Sequence, residues 1–303
     1  MALSAEIKQR SLELGFTFCG IAPARPLEEL RDYYSRFLGV HPYPGLEYLE
    51  KYAGPRLDPS LLLPEIRSVI AVLLNYYPRE VIPAENNFFV SKYAYGKDHH
   101  PVMKARLQDL TRFIAGLSPG IRTLAFVDSG PVLEKAWAQR CGVGWQGKNT
   151  LLLNKEGGSF FFIGILLTSL ETEYDLPAED HCGTCTRCME ACPTGAITAP
   201  YELDPLRCIA YHTIETEPGI PEEIAHKMGD RIYGCDTCQD VCPFNKSALP
   251  HDEPAFFPSE EFRRLRKPDW KELTEDDFER IFKGMAMKRT GYRKIMDTIR
   301  RAT

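Results

Sequence analysis

No stretch of this sequence is apolar for long enough to cross a bilayer. The longest apolar run, Phe160 to Leu167, falls far short of the ~20 residues that a spanning helix needs. The first residues, MALSAEIKQRSLELGF, contain no uninterrupted apolar segment either, so a secretory leader and a membrane address are not expected. A cytoplasmic, reducing location is expected instead, where clustered cysteines bind metal or react rather than form disulfides. An excess of positive charge is also lacking. Lys and Arg number 37 against 42 Asp and Glu, a net charge of −5, which argues against bulk electrostatic attraction to nucleic acid. The balance is uneven, however. From Glu261 onward 13 basic side chains face 8 acidic ones. A basic tail of this kind suits a phosphate-bearing partner, and equally suits a solvated helix.

What is present is ordinary globular composition, 44% hydrophobic and 26% charged over 303 residues, enough for two domains or one with appendages. Residues 1–175 read as α/β. Ser4–Leu14, Pro26–Phe37, Pro101–Leu117 and Val132–Arg140 have helical character. Thr17–Ala22, Ser68–Tyr77 and Thr123–Val127 read as strands, the second as a buried one from its β-branched and aromatic run. Leu151–Leu153 and Phe160–Leu167 flank Asn154-Lys155-Glu156-Gly157-Gly158 and suggest a hairpin. Residues 176–250 are governed by cysteine spacing rather than by periodicity. Residues 251–303 look helical and basic, with Ser259 as an N-cap ahead of Glu260 and Glu261.

Eight of the ten cysteines form one pattern. Cys182-x2-Cys185-x2-Cys188-x3-Cys192-Pro193 matches the run by which bacterial ferredoxins hold [4Fe–4S] clusters, in which the fourth cysteine serves the other cluster. Cys235-x2-Cys238-x3-Cys242-Pro243 is a second run without its first member, and Cys208 supplies that ligand from upstream. Crossed ligation then groups Cys182, Cys185, Cys188 and Cys242 on one cluster, and Cys192, Cys208, Cys235 and Cys238 on the other. Zinc also accepts C-x2-C pairs, but the order of all eight with both Cys-Pro terminators favours iron–sulfur. Cys19 and Cys141 are expected to be packed thiols.

Other motifs are less decisive. Gly142-x-Gly144-x-x-Gly147 follows a helical stretch rather than a strand, so the dinucleotide-binding context is missing. The same segment fails as a phosphate-binding P-loop because Asn149 stands where Ser or Thr should hold magnesium. A loop whose amides, Lys148 and Asn149 grip a polar ligand remains open, beside a plain turn. Asp128 ends the strand TLAFV, where it could act on a ligand or merely cap the helix that follows. YAYGKDHH (93–100) has no zinc spacing, and Asp98-x-His100 does not extend into the D-x-H-x-x-G signature of histidine-ligated cobalamin enzymes.

Taken together, RLDPSLLLPEIRSVIAV, YAYGKDHH, FVDSGPVLEKAWAQRCGVGWQGKNTLL, HCGTCTRCMEACPTGAI, CIAYHTIE and YGCDTCQDVCPFN closely resemble the epoxyqueuosine reductases. The resemblance spans about residues 50 to 250 and implies an α+β protein. A nitroreductase-like cobalamin domain would be followed by a two-cluster ferredoxin-like domain and a short helical C-terminal segment. It implies reduction of epoxyqueuosine to queuosine in tRNA, with cobalamin and two [4Fe–4S] clusters as cofactors and an external electron donor. A monomer is expected. Asp128 would be the proton donor, and Arg56, Asp128, Gly147, Lys148, Asn149 and Asp236 would lie against the cobalamin. Many members of that family continue into a helical-repeat extension. Here the last motif before Thr303 is the basic KGMAMKRTGYRKI, which with the cobalamin domain would have to meet the tRNA.

Overall fold

Ser68–Asn75 and Phe161–Thr168 are the two longest strands, and they pair antiparallel from Ser68↔Thr168 to Asn75↔Phe161. Phe18–Pro23 pairs along the free edge of the first, and Thr123–Val127 along the free edge of the second. The result, in a computed structural model that describes residues 2–40, 43–83, 85–217 and 219–302, is a four-stranded sheet, antiparallel throughout. Antiparallel sheets commonly leave one face wet; this one covers both. Val69, Ala71 and Leu73 face a core containing Trp137 and Ala138, whereas Ile70, Val72 and Leu74 face Ile7, Met103, Leu107 and Ile114. Two-sided burial is why SVIAVLLN is a continuous apolar run and not an alternation. Each buried Val, Ile or Leu side chain here contributes roughly 1.5–3 kcal/mol, so the sheet is a stiff platform.

The long helix His99–Leu117 lies on the second face through Met103, Leu107, Leu110 and Ile114, a helical spacing. It begins two residues before the expected Pro101 because the Asp98 carboxylate accepts the His100 N–H as an N-cap. The expected hairpin forms only at its turn. Asn154 and Gly158 exchange backbone hydrogen bonds of 2.7 and 3.0 Å, but Leu152–Leu153 pairs with Trp145–Gln146. Phe161–Thr168 is claimed on both edges by the main sheet, where its burial is greater.

A third core joins distant parts of the chain. Phe88 and Tyr95 meet Ile209, Ile232 and Tyr233 from between Cys208 and Cys235, and Trp270, Phe278 and Ile295 close over them. The expected division at residue 250 therefore runs through one buried cluster. Ser259 caps as expected, its Oγ accepting the Phe262 N–H. Arg231–Tyr233 pairs in parallel with Phe89–Val90. Next to that pair Gly234 has a φ of 71°, and a Cβ there would lie 2.6 Å from the Ser91 Cβ. Only glycine lets the cysteine segment come this close. No helix among the described residues is long and apolar enough to cross a membrane.

Candidate active site and cluster cradle

Cys182, Cys185, Cys188 and Cys242 line one cavity of about 170 Å³. All ten cysteines are free thiols, and burial followed by the proximity of Cys182 pushes up the thiols of both Cys188 and Cys242. The other set is also mutually close. Burial, then Cys235 and Cys192, raises Cys208, and burial, then Cys235 and Cys208, raises Cys238. Four thiols converging on a closed space form the donor set of an iron–sulfur cubane. The fit extends beyond the sulfurs. Trp145 Nε1 lies 3.5 Å from Cys182 Sγ, and the Ala196 N–H donates to Cys192 Sγ at 3.2 Å. N–H donors of this kind stabilise sulfur-borne negative charge. Cys19 and Cys141 are packed thiols. Burial raises Cys19 to about 12 and lifts Cys141 higher still, and Cys141 Sγ is spent on the Val69 carbonyl.

The Gly147-Lys148-Asn149 loop sits with the cysteines and not with Asp128. Lys148 is 8% exposed, and its Nζ donates to the carbonyls of Gly183 at 2.6 Å and Cys185 at 3.0 Å. Asn149 Nδ2 reaches the Cys238 carbonyl at 3.4 Å, so this loop touches both cysteine sets. Thr150 follows at φ 63°, and Lys135 Nζ holds its carbonyl at 2.7 Å. Asp236 is likewise committed. It is 2% exposed and takes the Ser91 hydroxyl, the Lys92 N–H at 2.9 Å and Lys92 Nζ at 3.3 Å. Lys92 also reaches Asp240 at 2.7 Å. This buried cation ties the Cys235–Cys242 segment to the sheet domain.

Asp128 stands at the end of the edge strand at φ 52°, a left-handed conformation that a non-glycine residue keeps only when held there. Its N–H donates to Glu134 Oε1 at 2.5 Å. Its Oδ2 lies 3.4 Å from His100 Nε2, while His100 Nδ1 lies 2.7 Å from Asp98 Oδ1. The Asp128 side chain remains 68% exposed, tied from behind and open in front. It does not cap the next helix, whose N-cap is Leu133. Hydrogen bonding to Asp128, then to Asp98, raises His100 to about 9. The same His100 bond holds Asp128 below the usual carboxylate range. At neutral pH the row is therefore carboxylate–imidazolium–carboxylate. Glu134 is the opposite case, raised to about 8 by burial and then by the Asp128 charge. Burial lowers His99 to about 4, and its ring stacks on Phe162 with centroids 4.0 Å apart.

Arg56 is buried behind the same loop. Its Nη1 donates to the Val132 carbonyl at 3.3 Å, its guanidinium lies 5.5 Å from the Tyr48 ring centroid, and its Nε has no partner. Of the sequence candidates, then, Asp128 and Arg56 share one region, whereas Lys148, Asn149 and Asp236 belong to the cradle. Sequence reasoning gave no role to His100, Glu134, Lys92 or Trp145. The dense YAYGKDHH stretch was the available signal for His100. For Lys92 there was none, because its partners lie 144 and 148 residues away.

By class the chain is an iron–sulfur oxidoreductase: the thiols suit electrons and the Asp128–His100 pair suits protons, but neither names a substrate. The family model described as 4Fe-4S double cluster binding domain matches residues 181–245, and that described as Epoxyqueuosine reductase QueG, DUF1730 matches residues 56–129. The chain is 46% identical over 286 residues to the epoxyqueuosine reductase of Cellulophaga algicola, covering 94% of this chain and 93% of that protein. The chain belongs to the epoxyqueuosine reductase family. A crystal structure of an epoxyqueuosine reductase with an epoxyqueuosine-modified tRNA-Tyr stem loop superposes with a TM-score of 0.88 at 31% identity, covering 99% of this chain and 80% of that one. The Bacillus subtilis enzyme, solved with its catalytic aspartate loop swung out of the active site, gives 0.87 at 30% identity with the same coverage. A catabolic reductive dehalogenase shares the fold alone, with a TM-score of 0.52 at 16% identity over 96% of this chain and 35% of its own.

Proposed function

We propose that this chain reduces epoxyqueuosine to queuosine in tRNA, using cobalamin and two [4Fe–4S] clusters, with Asp128 delivering a proton to the departing epoxide oxygen. The observation that carries the reading is the placement of Asp128. Its side chain is exposed to solvent, it is held in a left-handed conformation, and it is backed by His100. The resemblance of FVDSGP to the family's motif supports the same role. Cys182, Cys185, Cys188 and Cys242 would hold the outer cluster, and Cys192, Cys208, Cys235 and Cys238 the inner one. Electrons would come singly from an external donor. Cobalamin, when bound, would supply a low-valent metal centre that passes electrons to the epoxide.

Around that centre, Arg56 has a buried donor still to spend, and Gly147, whose own N–H goes to the Leu151 carbonyl, would lie against the corrin. Lys148, Asn149 and Asp236 would act one step back, their side chains fixing the cradle against which the corrin rests. The enzyme would work as a cytoplasmic monomer. The tRNA would be met by the sheet domain and the C-terminal segment, whose Gly284 carbonyl accepts the Asp98 N–H at 2.8 Å, next to His100.

The test is anaerobic reconstitution followed by mass analysis of an epoxyqueuosine stem loop. Wild type should remove one oxygen atom. Asp128→Asn should still shift the visible spectrum of added cobalamin, but reduce substrate ~10²–10⁴-fold more slowly, the usual worth of a general acid. Full activity in that variant would end the assignment of Asp128. A spectrum with iron–sulfur bands alone would reduce the chain to an electron carrier.

A further inference from the structure

Turning an epoxide into an alkene breaks two C–O bonds, consumes two electrons and two protons, and releases water. One carboxyl group holds one proton at most. Asp128, beside an imidazolium, holds none at neutral pH. Resting on the function proposed above, we infer that His100 is the proton reservoir for Asp128. The Nε2–H passes to Asp128 Oδ2 as Asp128 protonates the leaving oxygen, and Asp98 holds the imidazole in register for recharging from solvent. The two electrons come from the external donor through the clusters. The first proton leaves on the oxygen as its first C–O bond breaks, and the second completes water as the other breaks.

The geometry singles out His100. Among the described residues it is the one side chain within ion-pair distance of the Asp128 carboxylate. The 3.4 Å separation is long, as catalytic hydrogen bonds often are before substrate is bound. Asp98 fixes the opposite nitrogen at 2.7 Å, so Nε2 is turned toward Asp128. The other charged groups facing this pair have different tasks. Glu134 contacts the Asp128 amide, not its carboxylate. His99, in the same helical turn, is kept neutral by burial. Arg289, from the C-terminal segment, acts on Asp128 and His99 only through its field and is itself paired with Glu215 at 3.0 Å. Asp98 and His100 also share a backbone cap, so the first helical turn fixes the relay.

Two measurements on the intact chain test this. The first is the pH dependence of kcat on the epoxyqueuosine stem loop. His100→Gln should be about 10²-fold slower near pH 8 and should recover about tenfold per unit as pH falls, because Asp128 must then collect its own proton. Added imidazole should restore part of the rate, and KM should stay within about twofold. A uniform loss at every pH without imidazole rescue is what a merely structural His100 would give, and it would overturn the relay. The second needs no turnover. In ¹³C-histidine-labelled protein, the signal lost in His100→Gln should titrate near 9, and should move toward the ordinary histidine value in Asp128→Asn. A signal already at the ordinary value in wild type refutes the reservoir. If wild type leaves the epoxide intact, the proposed function fails. If wild type reacts and His100→Gln keeps its pH profile, only the relay fails.

Discussion

Lys92 and Asp128 are both charged and both held by opposite charge, yet their settings differ. The Lys92 side chain is 5% exposed and sits between Asp236 and Asp240, while the Asp128 side chain is 68% exposed with a single imidazole behind it. In the cradle, Lys148, Asn149, Asp236 and Gln239 all have their polar atoms bonded to fixed partners. At the Asp128 site, one carboxylate oxygen, one imidazole and one half-buried acid keep ionisation states that can exchange. A group that must stay in place under changing cluster charge is buried and saturated. A group that must give up a proton is tethered on one side and left wet on the other. Electron handling here is built on rigidity, and proton handling on poised titration.

The contrast breaks most severely when a cluster ligand is lost. Cys238→Ala removes a thiol from the second set, and activity should vanish with it. Iron should fall from about eight to about four atoms per chain, because the first set keeps its own four sulfurs. Iron analysis and the reduced-state EPR spectrum report this directly. Retention of both cluster signals would mean that Cys238 is not a ligand. Next in size is the buried cation. Lys92→Met leaves Asp236 without its ammonium partner, and removing one member of a buried pair costs about 3–5 kcal/mol. Anaerobic denaturation should show that loss. The same variant should leave the His100 titration unmoved, since Lys92 serves the cradle and not the Asp128 site.

How legible this was in the sequence depends on the range of each contact. Cysteine ligation is written in short spacings, so both runs stood out, and even the distant Cys208 could be assigned because the second run visibly lacked one member. The central strand was legible because burial on both faces leaves an unbroken apolar signature. Phe161–Thr168 misled as half of a hairpin, since the Asn154–Gly158 turn looks the same whichever strand the chain pairs with afterwards. The loop at Gly147 pointed to a ligand, and the Lys148 ammonium goes to the Gly183 and Cys185 carbonyls. A basic residue near glycines says that something is gripped, not what. Asp128 was left between catalyst and cap. The structure decides against the cap, because the N-cap of that helix is Leu133.

The smallest expected effect sharpens the comparison, because it separates the two regions by pH alone. His100 is raised from about 6.5 to about 9 in the folded protein. Its contribution to stability is therefore fully present below about pH 6.5 and is lost as pH rises through 9. Glu134 is raised from 4.5 to about 8, so the folded state again binds the proton more tightly than the unfolded one. Its contribution fades between about pH 4.5 and 8. Both slopes have the same sign, since stability falls wherever the native state holds more protons than the unfolded state. Solvent at the largely exposed Asp128 screens the His100 pair, which keeps the change small. Thermal melts of the protein with clusters intact should therefore decline gently from pH 6 toward pH 9. Glu134→Gln should flatten the lower part of that decline and His100→Gln the upper part, while Lys148→Met, which loosens only the cradle, should lower the melting temperature without altering the slope. An unchanged slope in both the Glu134 and His100 variants would show that neither group sets the pH dependence of stability in this range.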